Sequence, residues 1–572
     1  MIRVLPLLLA AALVLAPPVS SLTVEAFRVL DQPADVKDFK DADVAAVSGY
    51  ETCLYRPDSP AVTAYGNDLV VAWDTADGRV ELAAAAYSDG KLTVKGPVVI
   101  EQNGYFLEEP ALSPPVSLPG GGFFCELAYV RAGSEDDVSG TLAFGDDGTV
   151  KLVRVGPDLS LDVTTSFTIT VNGQQVTVRV PQGPEVDGAA YPTLGPPPAD
   201  VVTEVWNGNE ADVVALVYRD GKVEEFTLQK GAGTEPAGMP IHPLPTGTLD
   251  ENGTWLVYWR DASEAEATWW GGFRNISLRV AMPALIVPGD ELSEMVHQTT
   301  VAGSQVKAFG PAGRVVFYVN GDELEAAELV YSYYGVRVVN LGTLTKVEGT
   351  CTFVSATEVY EDDSGNAYYL VVYGNRFTDA ETGLFNSASA LLVEVTRDGK
   401  AEVVASYPSL DALLAPYEKT VYGEEVAGVL GLYGLKVVTL ESKYGDALVA
   451  LVGFLGDSGA CKSPTGQNVG HYMGDVFVAV LKVGTPSEEA QEAESLPQGV
   501  KVTLPSTAPP VQTPSTQQTQ QTTSSPSGAT IPLPLVPIPP VPRQPPSRTS
   551  SKRRTASSTS SRRAPMAALM VT

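Results

Sequence analysis

The sequence predicts an all-β protein whose body is a β-propeller of about seven blades, six to eight, followed by a low-complexity tail. Three observations point there. Gly 53 and Pro 44 in 572 residues indicate many turns and few long helices. An apolar strand, a tight acidic-Gly turn and a further strand recur along the chain. Seven leading strands, beginning near Leu69, Phe124, Val213, Trp255, Val315, Tyr368 and Leu448, are spaced by about 63 residues.

The first copy is the clearest. Leu69 to Trp73 is followed by Ala76-Asp77-Gly78, then Val80 to Tyr87, Ser88-Asp89-Gly90 and Lys91 to Val94. Asp-Gly pairs allow the positive φ angles of two-residue hairpins. The same order returns at Phe123 to Val155, Val315 to Leu341 and Tyr368 to Ala405, with partial copies near Val213, Trp255 and Leu448. Phe167 to Val180 reads as a separate hairpin around Asn172-Gly173. A small sheet with two apolar faces must be covered on both, and radial packing against neighbours does this. Two successive β-sandwiches are the competing arrangement.

Five regions follow from composition. Residues 1–21 read as a signal peptide: Arg3, an apolar run from Val4 to Ala16, then Pro17-Pro18 and small residues to Ser21. The run is shorter than the roughly 20 residues of a membrane span. Residues 22–485 form the propeller-like body. Residues 486–504 are a short acidic segment with a possible closing strand at Val500 to Leu504. Residues 505–542 are a Pro/Ser/Thr/Gln-rich stalk ending in the proline-punctuated Ile531 to Pro542, and residues 543–572 are a basic tail.

Charge narrows the partners. Lys and Arg number 38 against 68 Asp and Glu, for a formal net charge of −30. Seven of the bases lie beyond residue 541 with no acid among them, so the rest of the chain carries about −37. Such a body repels nucleic acid and anionic lipid. A cell-envelope component, a glycan or a protein partner is compatible with it.

Export has further support. Asn252-Gly253-Thr254 and Asn275-Ile276-Ser277 are glycosylation acceptors. The four cysteines, Cys53, Cys125, Cys351 and Cys461, are an even number, which outside the cytosol points to two disulfides. Of three connectivities, Cys53–Cys125 and Cys351–Cys461 are favoured, because each joins positions one to two blades apart. The order of signal peptide, β-domain and Thr/Ser/Pro stalk resembles that of secreted and cell-surface proteins of prokaryotes, archaea in particular. The resemblance is one of architecture. It implies a secreted or cell-surface location and no particular reaction. Ala564 to Thr572 is too short for a membrane helix, so no transmembrane segment is expected after signal cleavage.

Candidate chemistry is sparse. Gly456-Asp457-Ser458-Gly459 is similar to the nucleophile loop of chymotrypsin-like proteases, but none of His242, His297 and His471 has the context that chemistry needs. Three separated histidines do not form a metal motif. No cofactor is expected, with calcium as the one candidate: the acidic turns Asp362-Asp363 and Asp146-Asp147, like those at Asp74/Asp77 and Asp250 to Asn252, carry oxygen ligands. A glycan-acting hydrolase would need two carboxylates, and Glu108-Glu109 and Glu424-Glu425 are nameable without being singled out. Thr248 to Trp255 (TLDENGTW) is similar to a sialidase Asp box with its Asp-to-Gly spacing off by one, and no repeat of it is evident. Four of six tryptophans cluster at Trp255, Trp259, Trp269 and Trp270. Trp269, Trp270 and Trp259 are candidate ligand-stacking residues; Trp255 and Trp259 suit an interblade core better. The leading expectation is a non-enzymatic binding protein. A secreted glycan-acting hydrolase and a structural component of an envelope assembly are the alternatives.

Overall fold

The computed structural model describes residues 21–30, 53–54, 59–75, 79–102, 107–132, 140–143, 150–180, 185–236, 240–267, 273–332, 335–379, 383–423, 431–441, 447–457 and 472–484. They form seven antiparallel sheets of four or more strands arranged as a seven-bladed β-propeller, and two further sheets of two strands each. Residues 1–20 and 485–572 lie outside the described residues, and with them the expected signal peptide up to residue 20, the acidic segment, the stalk and the basic tail. Among the described residues no helix is long and apolar enough to cross a membrane.

Each blade has four main strands, counted outward from the axis. The inner strands are Ala61–Tyr65, Leu107–Leu112, Ala189–Leu194, Thr246–Leu249, Val306–Ala312, Thr350–Glu361 and Gly431–Leu440. Six of the seven leading strands read from the sequence are the second strands of their blades. The exception is Glu210–Arg219, the third strand of blade 3.

Alternation along the second strands explains the ring. Leu69, Val71 and Trp73 pack into a core shared with blade 7, whereas Val70 and Ala72 pack against Phe123, Cys125 and Leu127 of blade 2. Side chains on a strand point alternately to its two faces, so an unbroken apolar run feeds two interblade cores. Blade 4 repeats this. Trp255, Val257 and Trp259 face blade 3, and Leu256 and Tyr258 face blade 5. The hairpin Ser166–Val171/Gln174–Arg179 forms as read, with Asn172 and Gly173 at φ 51° and 79°. It covers the flank of blade 2 through Phe167, which meets Phe124 edge-on at 5.4 Å.

The ring closes through the N-terminal segment. Leu22–Val29 pairs antiparallel with Tyr472–Val483 and supplies the outer strand of blade 7. The outer place expected for Val500 to Leu504 is therefore filled from the other end of the chain. Among the described residues the body carries two α-helices, α1 (Glu291–His297) and α2 (Leu410–Tyr422). Helix α2 steadies the closing strand, since the Tyr417 hydroxyl donates to the Val24 carbonyl at 2.9 Å.

The inner strands share a signature. Ser59-Pro60-Ala61-Val62, Glu109-Pro110-Ala111-Leu112, Tyr191-Pro192-Thr193-Leu194, Leu244-Pro245-Thr246-Gly247 and Gly310-Pro311-Ala312-Gly313 line the axis in five of seven blades. An inner strand has one edge free of ladder bonds, so proline sits there without breaking the sheet.

Candidate ligand-binding cavity

The inner strands of all seven blades enclose an axial cavity of about 1310 Å³. That exceeds the roughly 300–1,000 Å³ of common small-molecule pockets. Its upper mouth is where the inner strands begin. Its lower mouth is where they turn into the second strands.

The upper mouth is built on left-handed backbone. Glu109, Tyr191 and Leu244 have φ of 56°, 49° and 53°, each just before a proline. Such angles are uncommon for residues with a Cβ and cluster at ligand clamps. The Tyr191 backbone N–H donates to the Glu109 carboxylate, tying blade 3 to blade 2. Beside it, Glu204 is fully buried and organises a polar cluster across blades 3 and 4. Its Oε1 accepts the Trp206 indole N–H at 3.0 Å and lies 2.7 Å from His242 Nδ1. The imidazole is packed between Tyr191 (5.0 Å) and Trp206 (5.3 Å), both edge-on. The Arg260 guanidinium donates to the carbonyls of His242 (3.0 and 2.6 Å) and Lys307 (2.8 Å). Burial lowers the Arg260 pKa from its usual range, with Glu204 and Tyr191 opposing the shift.

Two hairpins at the lower mouth are built alike. Asp250 Oδ1 accepts the N–H groups of Asn252 (2.9 Å) and Thr254 (2.7 Å). Asp362 Oδ1 accepts those of Ser364 (2.8 Å) and Asn366 (2.9 Å). The backbone bonds match as well, Gly253 N–H to Asp250 O and Gly365 N–H to Asp362 O. The turn at Asp250 thus has a counterpart two blades on, as Asp-x-Asn/Ser-Gly, contrary to the expectation of a single copy. Nearby, Arg314 pairs with Glu251 at 2.8 Å.

The sequence-derived sites divide. Trp259 is fully buried, and its indole N–H donates to Gln229 Oε1 at 2.6 Å, so it is core and not a stacking platform. The alternation of its strand turns it into the core shared with blade 3. Trp269, Trp270, Asp146, Asp147, Cys461, His471 and Glu424-Glu425 lie outside the described residues. Asp363 is exposed, while the Asp362 carboxylate already serves its own turn through Ser364 and Asn366, and those bonds hold its pKa low. Among the described residues no group of three or more His, Cys, Asp or Glu is placed to hold a metal ion. Asn252 and Asn275 are both exposed, as glycan acceptors require. Cys125 and Cys351 are buried free thiols, which corrects the disulfide expectation at both. Cys125 packs between blades 1 and 2 and Cys351 between blades 5 and 6, each as a small apolar side chain. Of Cys53, only the backbone is described, opposite Met473.

Sequence reasoning missed Glu204, Tyr191 and Arg260, and had no role for His242. In blades 1 to 4 the x-Pro-Ala/Thr repeat stands at or near the start of the inner strand and was the signal that marks where this mouth begins, whereas in blade 5 Gly310-Pro311 stands at the strand's far end.

No protein-family model matches the chain, and no curated protein does either. Solved structures with some likeness include the NanB sialidase of Streptococcus pneumoniae, at 9% identity and TM-score 0.33 over 79% of this chain and 70% of that one. An ulvan lyase matches at 9% identity and TM-score 0.36 over 71% and 91%. A putative 6-phosphogluconolactonase of Bacteroides fragilis matches at 12% and 0.33 over 73% and 98%. Likeness this low carries none of those activities to this chain.

Proposed function

We propose that the protein is a secreted or cell-surface binding protein whose propeller takes a saccharide in its axial cavity. The observation that carries this reading is the wall itself. Thr193, Thr246, Thr248, Thr352 and Thr357 line it together with Tyr191, Tyr369 and Tyr433 and with carboxylates. A large open cavity rich in hydroxyl and carboxylate groups suits a polyhydroxylated ligand, because it matches each ligand hydroxyl with a partner and leaves few polar groups stranded. The signal peptide and the stalk support presentation outside the cell, and the exposed Asn252 and Asn275 are compatible with it.

The test is a binding screen of the full chain against glycans and envelope fragments, with and without calcium. It is repeated on Thr246→Trp, which places a large ring in the cavity wall. Binding that this variant weakens tenfold or more supports the reading. Binding that it leaves unchanged places the ligand elsewhere.

One observation favours a secreted glycan-acting hydrolase instead. Glu358 and Glu361 both line the lower mouth. Partial desolvation, with the charge of Glu361 added, holds the Glu358 carboxyl above its usual range. An acid beside a carboxylate is the pairing that glycoside hydrolysis uses. Release of reducing ends from a bound glycan, lost in Glu358→Gln, would establish this alternative.

A further inference from the structure

The cavity wall is charged differently from the rest of the molecule. Five basic and six acidic side chains line it, in a chain with 38 bases and 68 acids. They are also sorted by height. Five of the six acids, Arg314 and Arg397 lie towards the lower mouth, where Arg314 is paired with Glu251. At the upper mouth the lining charges are Glu109, Arg260 and Lys307, and Lys436 lies midway along the inner strand of blade 7.

The acids of the upper mouth are committed inward. Glu109 accepts the Tyr191 N–H, and Glu204 holds Trp206 and His242. The bases are not matched in the same way. Arg260 is fixed by two backbone carbonyls, which leaves its charge in place. Lys307 is exposed and forms no ion pair among the described residues. His242 is anchored through Nδ1, which leaves Nε2 as the ring nitrogen for a ligand; no bond to it is formed among the described residues. His242 and Lys307 are held on either side of the Arg260 guanidinium, which donates to both of their carbonyls, so a histidine oriented by a buried carboxylate and an ammonium without an ion pair flank one fixed charge, a donor set suited to an anion.

We infer that the upper mouth is a subsite for the anionic group of an acidic saccharide, a carboxylate or a sulfate. Lys307 and His242 contact that group, Tyr191 lies against the sugar, and Arg260 adds its fixed charge from behind. This deepens the saccharide-binding reading above and rests on it. The anion goes to the upper mouth because the lower one offers a surplus of carboxylates.

The experiment is calorimetric titration of the full chain with three oligosaccharides of equal length: an oligogalacturonate, a sulfated galactan oligomer and a neutral oligomer. We expect at least one anionic probe to bind tenfold or more tightly than the neutral one, about 1.4 kcal/mol. Lys307→Met and His242→Gln each remove about tenfold of that affinity and leave neutral binding unchanged. Lys91→Met, which removes a charge from an outer hairpin, changes neither. Lys307 is exposed, so its variant folds even where the histidine variant does not, and melting curves check both. Which anionic probe binds identifies the group. Neutral binding as tight as anionic, or a Lys307→Met variant indistinguishable from Lys91→Met, overturns the subsite while sparing the saccharide reading. Failure of all three probes to bind overturns both.

Discussion

Leu22 pairs with Val483 across an antiparallel ladder, joining the first strand of the body to its last. A propeller built from a single chain has one seam, and here the N-terminal strand closes it. Removing residues 22–29 is expected to open blade 7. A milder test is Phe27→Ala, because the Phe27 ring stacks on Phe477 at 5.6 Å and meets Tyr417 at 5.8 Å. A loss of about 2–3 kcal/mol is expected from thermal melting. An unchanged melting temperature would mean the seam contributes nothing to the ring.

Buried carboxyls make stability depend on pH. Burial pushes Glu418 up to about 7, with Asp411 adding to the shift, and Asp411 itself up to about 6. Between blades 2 and 3, burial raises Glu126 to about 8, helped by Asp200, which is raised to about 6. A carboxyl with a raised folded pKa binds more protons folded than unfolded between its ordinary pKa and the raised one. The stability these four carboxyls contribute is therefore fully present below their ordinary pKa, falls as pH rises through that window, and is lost above about 8. The melting temperature should be higher at pH 5 than at pH 8.5. Glu418→Gln should flatten part of the slope, since at one unit per 1.36 kcal/mol its shift is worth at most about 3 kcal/mol. A protein equally stable at both values contradicts this.

The two buried thiols should be inert. Burial pushes Cys351 up to about 12 and holds Cys125 higher still, with Glu126 adding to the latter. In a Cys53→Ser/Cys461→Ser variant, a thiol reagent should label neither residue in the native state and both after denaturation. Rapid native labelling would contradict the packing described.

Gly374 carries the Phe353 ring. A Cβ there would lie 2.0 Å from Phe353 Cε1, and Phe353 lines the cavity. Gly374→Ala should cost about 1–3 kcal/mol in stability. It should also weaken any cavity ligand, because the ring can only move. Wild-type melting and binding in this variant would show that the ring has room elsewhere.

What could be read from the sequence follows from burial. The second strands, such as Leu69 to Trp73, stand out because both faces are covered. The inner strands do not, because Thr246 to Leu249 is half-buried throughout and interrupted by glycine. In blade 3 the buried Glu204 breaks the apolar run of Val201 to Trp206, so the next strand was read as the leading one. The site was hidden for a related reason. Glu204, His242 and Arg260 lie far apart in sequence, and only the stacking of blades 3 and 4 brings them together. Trp259 illustrates the converse, a conspicuous residue that the strand alternation buries.

Hydrogen exchange of the full chain with and without a bound oligosaccharide tests the central claim, that the ligand sits on the axis. Ligand-dependent protection should fall on the inner strands, residues 107–112, 189–194 and 246–249, and on the segment around Lys307. Protection confined to outer strands, such as 91–102 or 222–234, would contradict it.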